Sequence, residues 1–175
     1  INPHFIFNAL NSIRALVDEN PARARTAITE LSNILRSSMQ AEKLETVPLE
    51  RELNIVKDYL ALEKIRFEER LNIEMEIDED TLHQPLPPMM LQTLVENAIK
   101  HGISKRISGG VIRVQNSGQL SIGTDGEGFG VKSTKDRLNL LYQGKATFDI
   151  RNLENDLVES KIIMPVSTIQ NIKYA

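Results

Sequence analysis

The sequence predicts an α+β fold in which a helical segment comes first and a mixed set of helices and strands follows. Apolar residues recur every three or four positions before residue 71, which is the period of an amphipathic helix. From Leu71 the stretch LNIEMEI alternates apolar and polar residues, which is the period of a half-buried strand. We therefore place a boundary here and expect two domains, 1–70 and 71–175.

Three helices are predicted in the first domain, with Asn2 and Pro3 starting the first and Asn20-Pro21 separating it from the second. Each helix carries an apolar stripe. The stripes are Ile6, Leu10, Ile13 and Val17 in the first helix, Ile28, Leu31 and Leu35 in the second, and Leu49, Leu53, Val56 and Leu60 in the third. We expect these stripes to pack against each other or against a second copy of the chain.

The second domain is predicted to continue from its first strand through a proline-rich linker, DEDTLHQPLPP, into the helix MMLQTLVENAIKHGI, which Gly102 ends. The residues expected to face inward on this helix are Leu91, Leu94, Val95 and Ala98. A strand, GGVIRV, and a glycine-rich stretch, GTDGEGFG, are expected next. A helix opened by Ser133 and Thr134 then precedes two strands, in ATFDIRN and LVESKIIMPV.

The composition is ordinary for a globular protein and excludes several kinds of site. The formal net charge of −3 argues against general nucleic-acid binding, because no basic surplus exists to neutralise phosphates. The absence of cysteine excludes disulfides, thiolate metal sites and cysteine nucleophiles, and it fits a reducing compartment. No apolar run approaches the roughly 20 residues that span a bilayer. Because no methionine precedes Ile1, we expect the chain to be a fragment.

Four polar residues share one face of the predicted helix that contains LVENAIKHG. Offsets of three and four residues place Asn97 beside Lys100 and His101, and Glu96 beside Lys100. An amide oxygen suited to Mg²⁺ would then lie next to cationic groups suited to phosphate oxygens. The alternative is a solvated helix face with an ordinary ion pair between Glu96 and Lys100.

Three glycines, Gly126, Gly128 and Gly130, alternate before the helix predicted at Ser133. Such a loop allows backbone N–H groups to approach phosphates, and a helix N-terminus adds its positive end. The alternative is a surface loop without a ligand. The sequence has no GxxxxGK[ST], and no strand leads directly into the glycines, so this spacing does not suit the P-loop or dinucleotide-binding folds.

Five segments, taken in order, resemble the cytoplasmic core of a bacterial sensor histidine kinase of the LytS-like group. NPHFIFNALNSI resembles its phosphoacceptor box, and YLALEKIRFEERL the end of its helical dimerisation segment. PPMMLQTLVENAIKHGI resembles the N box of the GHKL ATP-binding fold, and NSG and GEGFGVKSTKDRLNLLY resemble its two glycine boxes. The resemblance implies an N-terminal helical hairpin that forms a dimeric four-helix bundle, followed by a GHKL α/β sandwich that binds ATP.

The resemblance implies that His4 is the nucleophile that accepts the γ-phosphoryl group of ATP, a role that suits neutral imidazole because its unperturbed pKa is about 6.5. Asn8, one turn later, is expected to orient the ring; the alternative is an ordinary polar helix-end residue. Phe5 stands where many other histidine kinases place an acid. The resemblance further implies that Asn97 binds Mg²⁺ and that Glu96 orients metal-bound water or assists proton removal. The residues implied to bind ATP are Asn97, Lys100, His101, Asn116, Gly118, Gly126, Gly128 and Gly130.

The chain departs from the family pattern in two places. Asn116 stands where the first glycine box usually has an aspartate that accepts a hydrogen bond from the adenine amino group, and an amide oxygen is able to accept the same bond. The segment GGVIRVQNSG is also too short for the hairpin that the fold needs after Val111. Either the ATP domain is shortened at this point or residues are missing from this sequence between Val114 and Asn116, and we expect the second.

By resemblance the chain is an ATP-dependent protein-histidine kinase that acts as a homodimer and uses ATP and Mg²⁺. His4 would pass its phosphoryl group to an aspartate of a response regulator, itself a DNA-binding transcription factor, with no direct nucleic-acid contact by this chain. The resemblance also implies the cytoplasmic part of a membrane-anchored sensor. One alternative is a degenerate kinase that serves as a dimeric signalling scaffold, which Asn116 favours. Another is a GHKL ATPase or serine kinase, which poorly explains a histidine box on a helix ahead of the ATP domain.

Overall fold

A computed structural model gives the fold, and the structure describes residues 3–41, 44–102, 110–115, 119–121, 129–153 and 157–165. The helices are α1 (Pro3–Glu19), α2 (Pro21–Ala41), α3 (Leu49–Phe67), α4 (Met90–Asn97) and α5 (Phe129–Tyr142). The strands are β1 (Val47–Pro48), β2 (Leu71–Glu76), β3 (Pro85–Leu86), β4 (Gly110–Gln115), β5 (Gln119–Ser121), β6 (Thr147–Leu153) and β7 (Leu157–Ile163). The predicted α+β class, with helices first and a mixed sheet second, is confirmed.

The break between α1 and α2 falls at Asn20, as the sequence predicts. The side-chain Oδ1 of Asn20 accepts a hydrogen bond from the backbone N–H of Arg23 at 3.0 Å, and its carbonyl accepts one from Ala24 N–H at 3.0 Å. Asn20 is therefore the N-cap of α2, and Pro21 occupies the first helical position, where a missing N–H costs nothing. Asn2, predicted to cap α1, lies outside the described residues.

The stripes of α1 and α2 are only partly buried within the chain. Leu10 and Val17 are 50% and 52% exposed, and Ile28 and Leu35 are 52% and 36% exposed. The residues that α1 and α2 do bury are Phe5, Ala9, Ile13, Ala24, Ala27, Leu31 and Ile34. Ile13 and Leu31 belong to the predicted stripes, and the other buried residues lie beside them. The predicted stripes of these two helices therefore overlap the buried seam only in part.

Helix α3 is the central element of the helical segment, and its predicted stripe is confirmed. Leu53, Val56 and Leu60 are all at most 2% exposed, and Leu49 is half-buried. The helix packs against α1 and α2 and also against α4. A 3₁₀ turn, Glu68–Arg70, joins it directly to β2, where Lys64 Nζ donates to the Leu71 carbonyl at 2.8 Å.

Five strands form one mixed sheet in the order β2-β4-β5-β7-β6. Strands β2 and β4 are parallel, with Leu71 opposite Gly110, and every other pair is antiparallel. Strand β5 was not predicted from the sequence. It pairs with β4 so that Gln115 lies opposite Gln119, and β4 continues one residue beyond Val114. The predicted absence of residues before Asn116 stays a prediction.

The predicted inward face of this helix is confirmed, since Leu91, Leu94 and Val95 of α4 and Ala98 of the turn that follows are all buried. Helix α5 begins at Phe129, so the prediction that Ser133 and Thr134 open it is wrong. Thr134 is 5% exposed and lies inside the helix, which extends N-terminally into the glycine-rich stretch. One hydrophobic cluster includes residues from α1 through β7, and the domain division at residue 70 stays a prediction.

The proline-rich linker contains a short strand that the sequence did not predict. Strand β3 pairs antiparallel with β1, with Val47 opposite Leu86 and Pro48 opposite Pro85. Within the described ranges, the structure contains no helix with the length and hydrophobicity that a membrane crossing requires.

Candidate active site

His4 lies in the first turn of α1 and is exposed. The Asn8 side-chain amide lies one turn later, with Nδ2 at 3.1 Å from His4 Nδ1. An amide nitrogen only donates, so in this arrangement Nδ1 accepts and the proton of a neutral His4 ring is on Nε2. Turning the Asn8 amide by 180° presents its oxygen to Nδ1–H instead and leaves the lone pair of the neutral ring on Nε2. Asn8 is thus placed to orient the imidazole in either tautomer, and attack through Nε2 uses the second.

A buried tyrosine lies beneath the residue that follows His4. The ring centroids of Phe5 and Tyr59 are 4.5 Å apart, which anchors the start of α1 on α3. The Tyr59 hydroxyl donates to Glu63 Oε1 at 3.3 Å. Burial raises the pKa of Tyr59 well above its usual value, and the nearby carboxylates of Glu63 and Glu96 raise it further. Tyr59 therefore stays protonated and serves as a packing surface and hydrogen-bond donor.

Glu63 is a buried acid that the sequence analysis missed. It is 4% exposed and lines a small cavity with Phe5 and Asn8. Its Oε2 lies 3.6 Å from Arg66 Nη1. Burial raises its pKa, and Glu96 raises it further, against the opposing effects of Arg66 and the Tyr59 hydrogen bond. The signal was present in the sequence, because position 63 continues the α3 stripe one helical step beyond Leu60.

We expect Glu63→Gln to change the pH dependence of stability. A raised pKa means that the neutral acid stabilises the folded state below the ordinary glutamate pKa of about 4.3, and that this contribution is lost as the pH rises through the raised value. The free energy of unfolding of the variant should therefore rise relative to wild type from the ordinary glutamate pKa up to the raised one, by at most about 1.4 kcal/mol per pH unit. Urea titrations at several pH values measure the difference. The exposed Glu69→Gln is the matched control, and a pH-independent difference for Glu63→Gln would contradict the assignment.

Glu96 and Asn97 lie at the end of α4 and are both half-buried. The Gln92 side-chain amide donates to Glu96 Oε1 at 2.8 Å, so this carboxylate has a partner on α4 other than the Lys100 that the alternative gave it. Burial raises the pKa of Glu96, and the Gln92 hydrogen bond lowers it. A carboxyl whose pKa is moved toward neutrality is suited to proton transfer.

The helix widens into a π-helical turn, Ala98–Gly102, immediately after Asn97. A π turn adds a residue to each turn, so offsets of three and four residues no longer align side chains. Lys100 lies within this turn and is exposed. His101 belongs to the same turn, and its side chain is outside the described residues. Gly102 falls at the end of this turn.

The remaining predicted ATP-binding positions are mostly outside the described residues, namely Asn116, Gly118, Gly126 and Gly128. Gly130 is described and lies in the first turn of α5 rather than in a loop ahead of it. In the part of the chain that is described, no three histidine or acidic side chains cluster closely enough to hold a metal ion. An amide oxygen such as that of Asn97 nevertheless fits Mg²⁺, which keeps several waters and takes few protein ligands.

The residues predicted for chemistry come from the start and the middle of the chain, and α3 contacts both groups. Phe5 and Asn8 contact α3 around Tyr59 and Glu63, and the Glu96 carboxylate is close enough to affect the pKa of both α3 residues. The start of α1 and the end of α4 therefore meet the same region of α3. This arrangement fits transfer of a group between the two helices.

Comparison with known proteins finds similarity to histidine kinases. Residues 1–71 match the family model described as "Histidine kinase". The "Sensor protein LytS" of Staphylococcus haemolyticus (strain JCSC1435) is 38% identical over 146 residues, which are 82% of this chain and 25% of that protein. The resemblance to LytS-like histidine kinases is confirmed.

A second LytS protein is similar to this chain at nearly the same identity. The "Sensor histidine kinase/phosphatase LytS" of Staphylococcus aureus (strain MRSA252) is 37% identical over 145 residues, which cover 81% of this LytS-like chain and 24% of the relative. The chain thus spans about a quarter of the length of these relatives. Among solved structures, the "cytoplasmic segment of histidine kinase QseC" matches with a TM-score of 0.47 at 15% identity, covering 70% of this chain and 78% of that one.

Proposed function

We propose that this chain is the kinase core of a two-component sensor, which phosphorylates its own His4 from Mg-ATP. The observation that supports this most is the position of His4 on a helix that shares its α3 contact region with Glu96 of α4. The similarity to LytS sensor kinases over four-fifths of the chain supports the same activity. A histidine with its orienting amide near a helix that carries an amide and an acid suits phosphoryl transfer, which needs placement and charge stabilisation.

In the proposed reaction, His4 Nε2 attacks the γ-phosphorus of ATP. A nitrogen–phosphorus bond forms, the bond from the γ-phosphorus to the β–γ bridging oxygen breaks, and ADP leaves with the electron pair. This step uses the tautomer in which the Asn8 amide oxygen accepts from Nδ1–H, and the Nδ1 proton of the phosphorylated ring is then released to solvent. The residue directly after His4 is Phe5 and not an acid, and a neutral imidazole needs no base to expose its lone pair.

The second half of the chain is proposed to bind the nucleotide. Asn97 would hold Mg²⁺ through its side-chain oxygen, and the ion would neutralise charge on the β- and γ-phosphates. Lys100 and His101 would contact phosphate oxygens, and Glu96 would orient water or take up a proton. The remaining contacts are proposed for Asn116, Gly118, Gly126, Gly128 and Gly130, with Asn116 accepting a hydrogen bond from the adenine amino group.

The exposed apolar rows on α1 and α2 support the proposal of a homodimer. Leu10 and Val17 lie seven residues apart on α1, and Ile28 and Leu35 lie seven apart on α2. Seven residues are about two helical turns, so each pair forms a row along one side of its helix. Two copies that buried these rows together would form a four-helix bundle across a two-fold axis.

We expect Ile28→Glu to weaken this dimer by at least about tenfold in its dissociation constant, because the two-fold axis brings two charges into an apolar interface. Sedimentation equilibrium over a range of protein concentrations measures the change. Leu140→Glu is the matched control, because Leu140 is an exposed leucine of α5 outside these rows. Equal dissociation constants for the Ile28→Glu and Leu140→Glu proteins would contradict the proposed interface.

The proposed partner downstream is a response regulator whose aspartate accepts the phosphoryl group from His4, with a DNA-binding output. We also propose that the full-length protein carries a sensor that anchors it to a membrane and leaves this core in the cytoplasm. These proposals follow from the similarity to LytS sensor kinases, of which this chain spans about a quarter.

Incubation with Mg²⁺ and ATP labelled at the γ-phosphate tests the proposed function. An autokinase gives protein-bound label that acid removes and alkali does not, which is the behaviour of a phosphorylated imidazole. Nucleotide binding without label would instead support the dimeric scaffold, and acid-stable label would support a serine kinase. Calorimetry with ATP and Mg²⁺ supplies the binding measurement.

A further inference from the structure

Glu52 of α3 is almost completely buried, and its carboxylate bonds another helix. It is 1% exposed. Its Oε1 accepts the backbone N–H of Met89 at 2.7 Å, and its Oε2 accepts the backbone N–H of Leu91 at 3.0 Å. Both oxygens therefore bond the start of α4, which is the helix that carries Glu96 and Asn97.

The start of α4 has no capping side chain of its own. Met89 is its N-cap residue, makes no side-chain cap hydrogen bond and has a left-handed backbone with φ of 62°. The first N–H groups of a helix need acceptors, and a carboxylate there also interacts favourably with the helix dipole. Glu52 supplies this acceptor from 37 residues earlier in the chain. Burial raises the pKa of Glu52, and its backbone hydrogen bonds act in the opposite direction.

Helix α5 holds the same segment from another side. Arg137 Nη1 donates to the Pro88 carbonyl at 2.9 Å, and the Tyr142 hydroxyl donates to the Pro85 carbonyl at 2.7 Å. The segment from Pro85 to Met89 is thus bonded by α3 and by α5, immediately before α4 begins. Its position depends on polar contacts from both helices.

We propose that Glu52 is a positioning residue that fixes α4 relative to α3, and so sets how the nucleotide-binding helix faces the helix that carries His4. This inference rests on the proposed function for its effect on transfer. Loss of the carboxylate would leave the ATP contacts of α4 in place but would loosen their position relative to α1, which packs on α3 through Phe5 and Tyr59.

Glu52→Gln tests this proposal with three measurements. Hydrogen exchange at the amides of Met89 and Leu91 should become at least about tenfold faster, because a neutral amide is a weaker acceptor and places N–H groups against N–H groups. The rate of His4 phosphorylation at saturating ATP should fall about tenfold, because misplacement of reacting groups slows transfer. The dissociation constant of Mg-ATP should change by less than about threefold, since Glu52 lies outside the proposed nucleotide contacts.

Glu50→Gln is the matched control, because Glu50 is exposed in the same turn of α3 and the substitution removes the same charge. It should leave all three measurements unchanged. If Glu52→Gln does not fold, Arg137→Met replaces it, because this substitution removes the hydrogen bond from α5 to the Pro88 carbonyl. It should likewise slow the phosphorylation of His4 and leave the dissociation constant of Mg-ATP within about threefold of wild type.

Unchanged exchange at Met89 and Leu91, or a parallel loss of phosphorylation and ATP binding, would overturn the proposal. The exchange measurement needs no ATP, so it distinguishes failure of this inference from failure of the proposed function. A wild-type protein that takes no label refutes the kinase proposal and, with it, the effect on transfer. Faster amide exchange in that protein would still establish the bond from Glu52 to α4.

Discussion

His4→Gln is expected to abolish incorporation of label from ATP, with a loss limited only by the background of the assay. Glutamine keeps a polar side chain of similar reach but has no ring nitrogen with a basic lone pair, so no nitrogen–phosphorus bond forms. His4 is exposed in the first turn of α1, and its side chain is not part of the hydrophobic cluster. The variant should therefore unfold at the same urea concentration as wild type and bind Mg-ATP equally well.

The control for this prediction is His83→Gln, which replaces an exposed histidine in the linker before β3. The His83→Gln protein should incorporate as much label from ATP as wild type. Acid-labile label that persists in the His4→Gln protein would show that another residue accepts the phosphoryl group and would remove the role assigned to α1. A loss of label accompanied by a loss of ATP binding would point instead to a folding defect, which the urea titration would reveal.

Asn97→Ala is expected to lower the rate of His4 phosphorylation by about 100-fold or more, through loss of a positioned charge-stabilising group at the triphosphate. Alanine favours the helical conformation and is smaller, so α4 should remain folded. The proposed loss is in Mg²⁺ binding, so the Mg²⁺ concentration that gives half-maximal labelling should rise together with the fall in rate. A titration of labelling rate against Mg²⁺ at fixed ATP measures both.

Asn54→Ala is the matched control, because Asn54 is an exposed asparagine within α3. It should leave both the rate and the Mg²⁺ dependence unchanged. Labelling that persists undiminished in the Asn97→Ala protein would exclude Asn97 as the metal ligand. A lower rate with an unchanged Mg²⁺ dependence would place Asn97 in contact with the nucleotide but not with the metal.

The spacing of apolar residues predicted much of the fold, because residues that recur at a helical or strand period lie together on one buried face. Leu53, Val56 and Leu60 recur at helical spacing and are buried together, and the alternation from Leu71 marks the start of β2. A short strand such as β5 has too few residues to show a period. The start of α5 was misplaced because glycines preceding Ser133 suggested a loop, whereas the structure continues the helix through Gly130.

The site was less predictable, because its geometry depends on contacts between distant segments. Glu52 and Glu63 lie on the buried face of α3, and no local pattern shows that one caps α4 and the other packs beneath Asn8. The π-helical turn after Asn97 likewise invalidated a spacing argument that assumed a regular helix. Glu96 bonds Gln92, one turn earlier on the regular part of the helix.

The connection between α3 and β2 has a mechanical consequence for the sheet. Its only residues are Glu68–Arg70, a length of chain that reaches at most about 10 Å even when fully extended. The end of α3 and the start of β2 are therefore joined by a short tether, so a large rotation of the helix would displace the strand. The number of residues in this connection is therefore more restricted than their identity. An added residue that shifted Leu71 by one position would turn the inward row of β2 toward water.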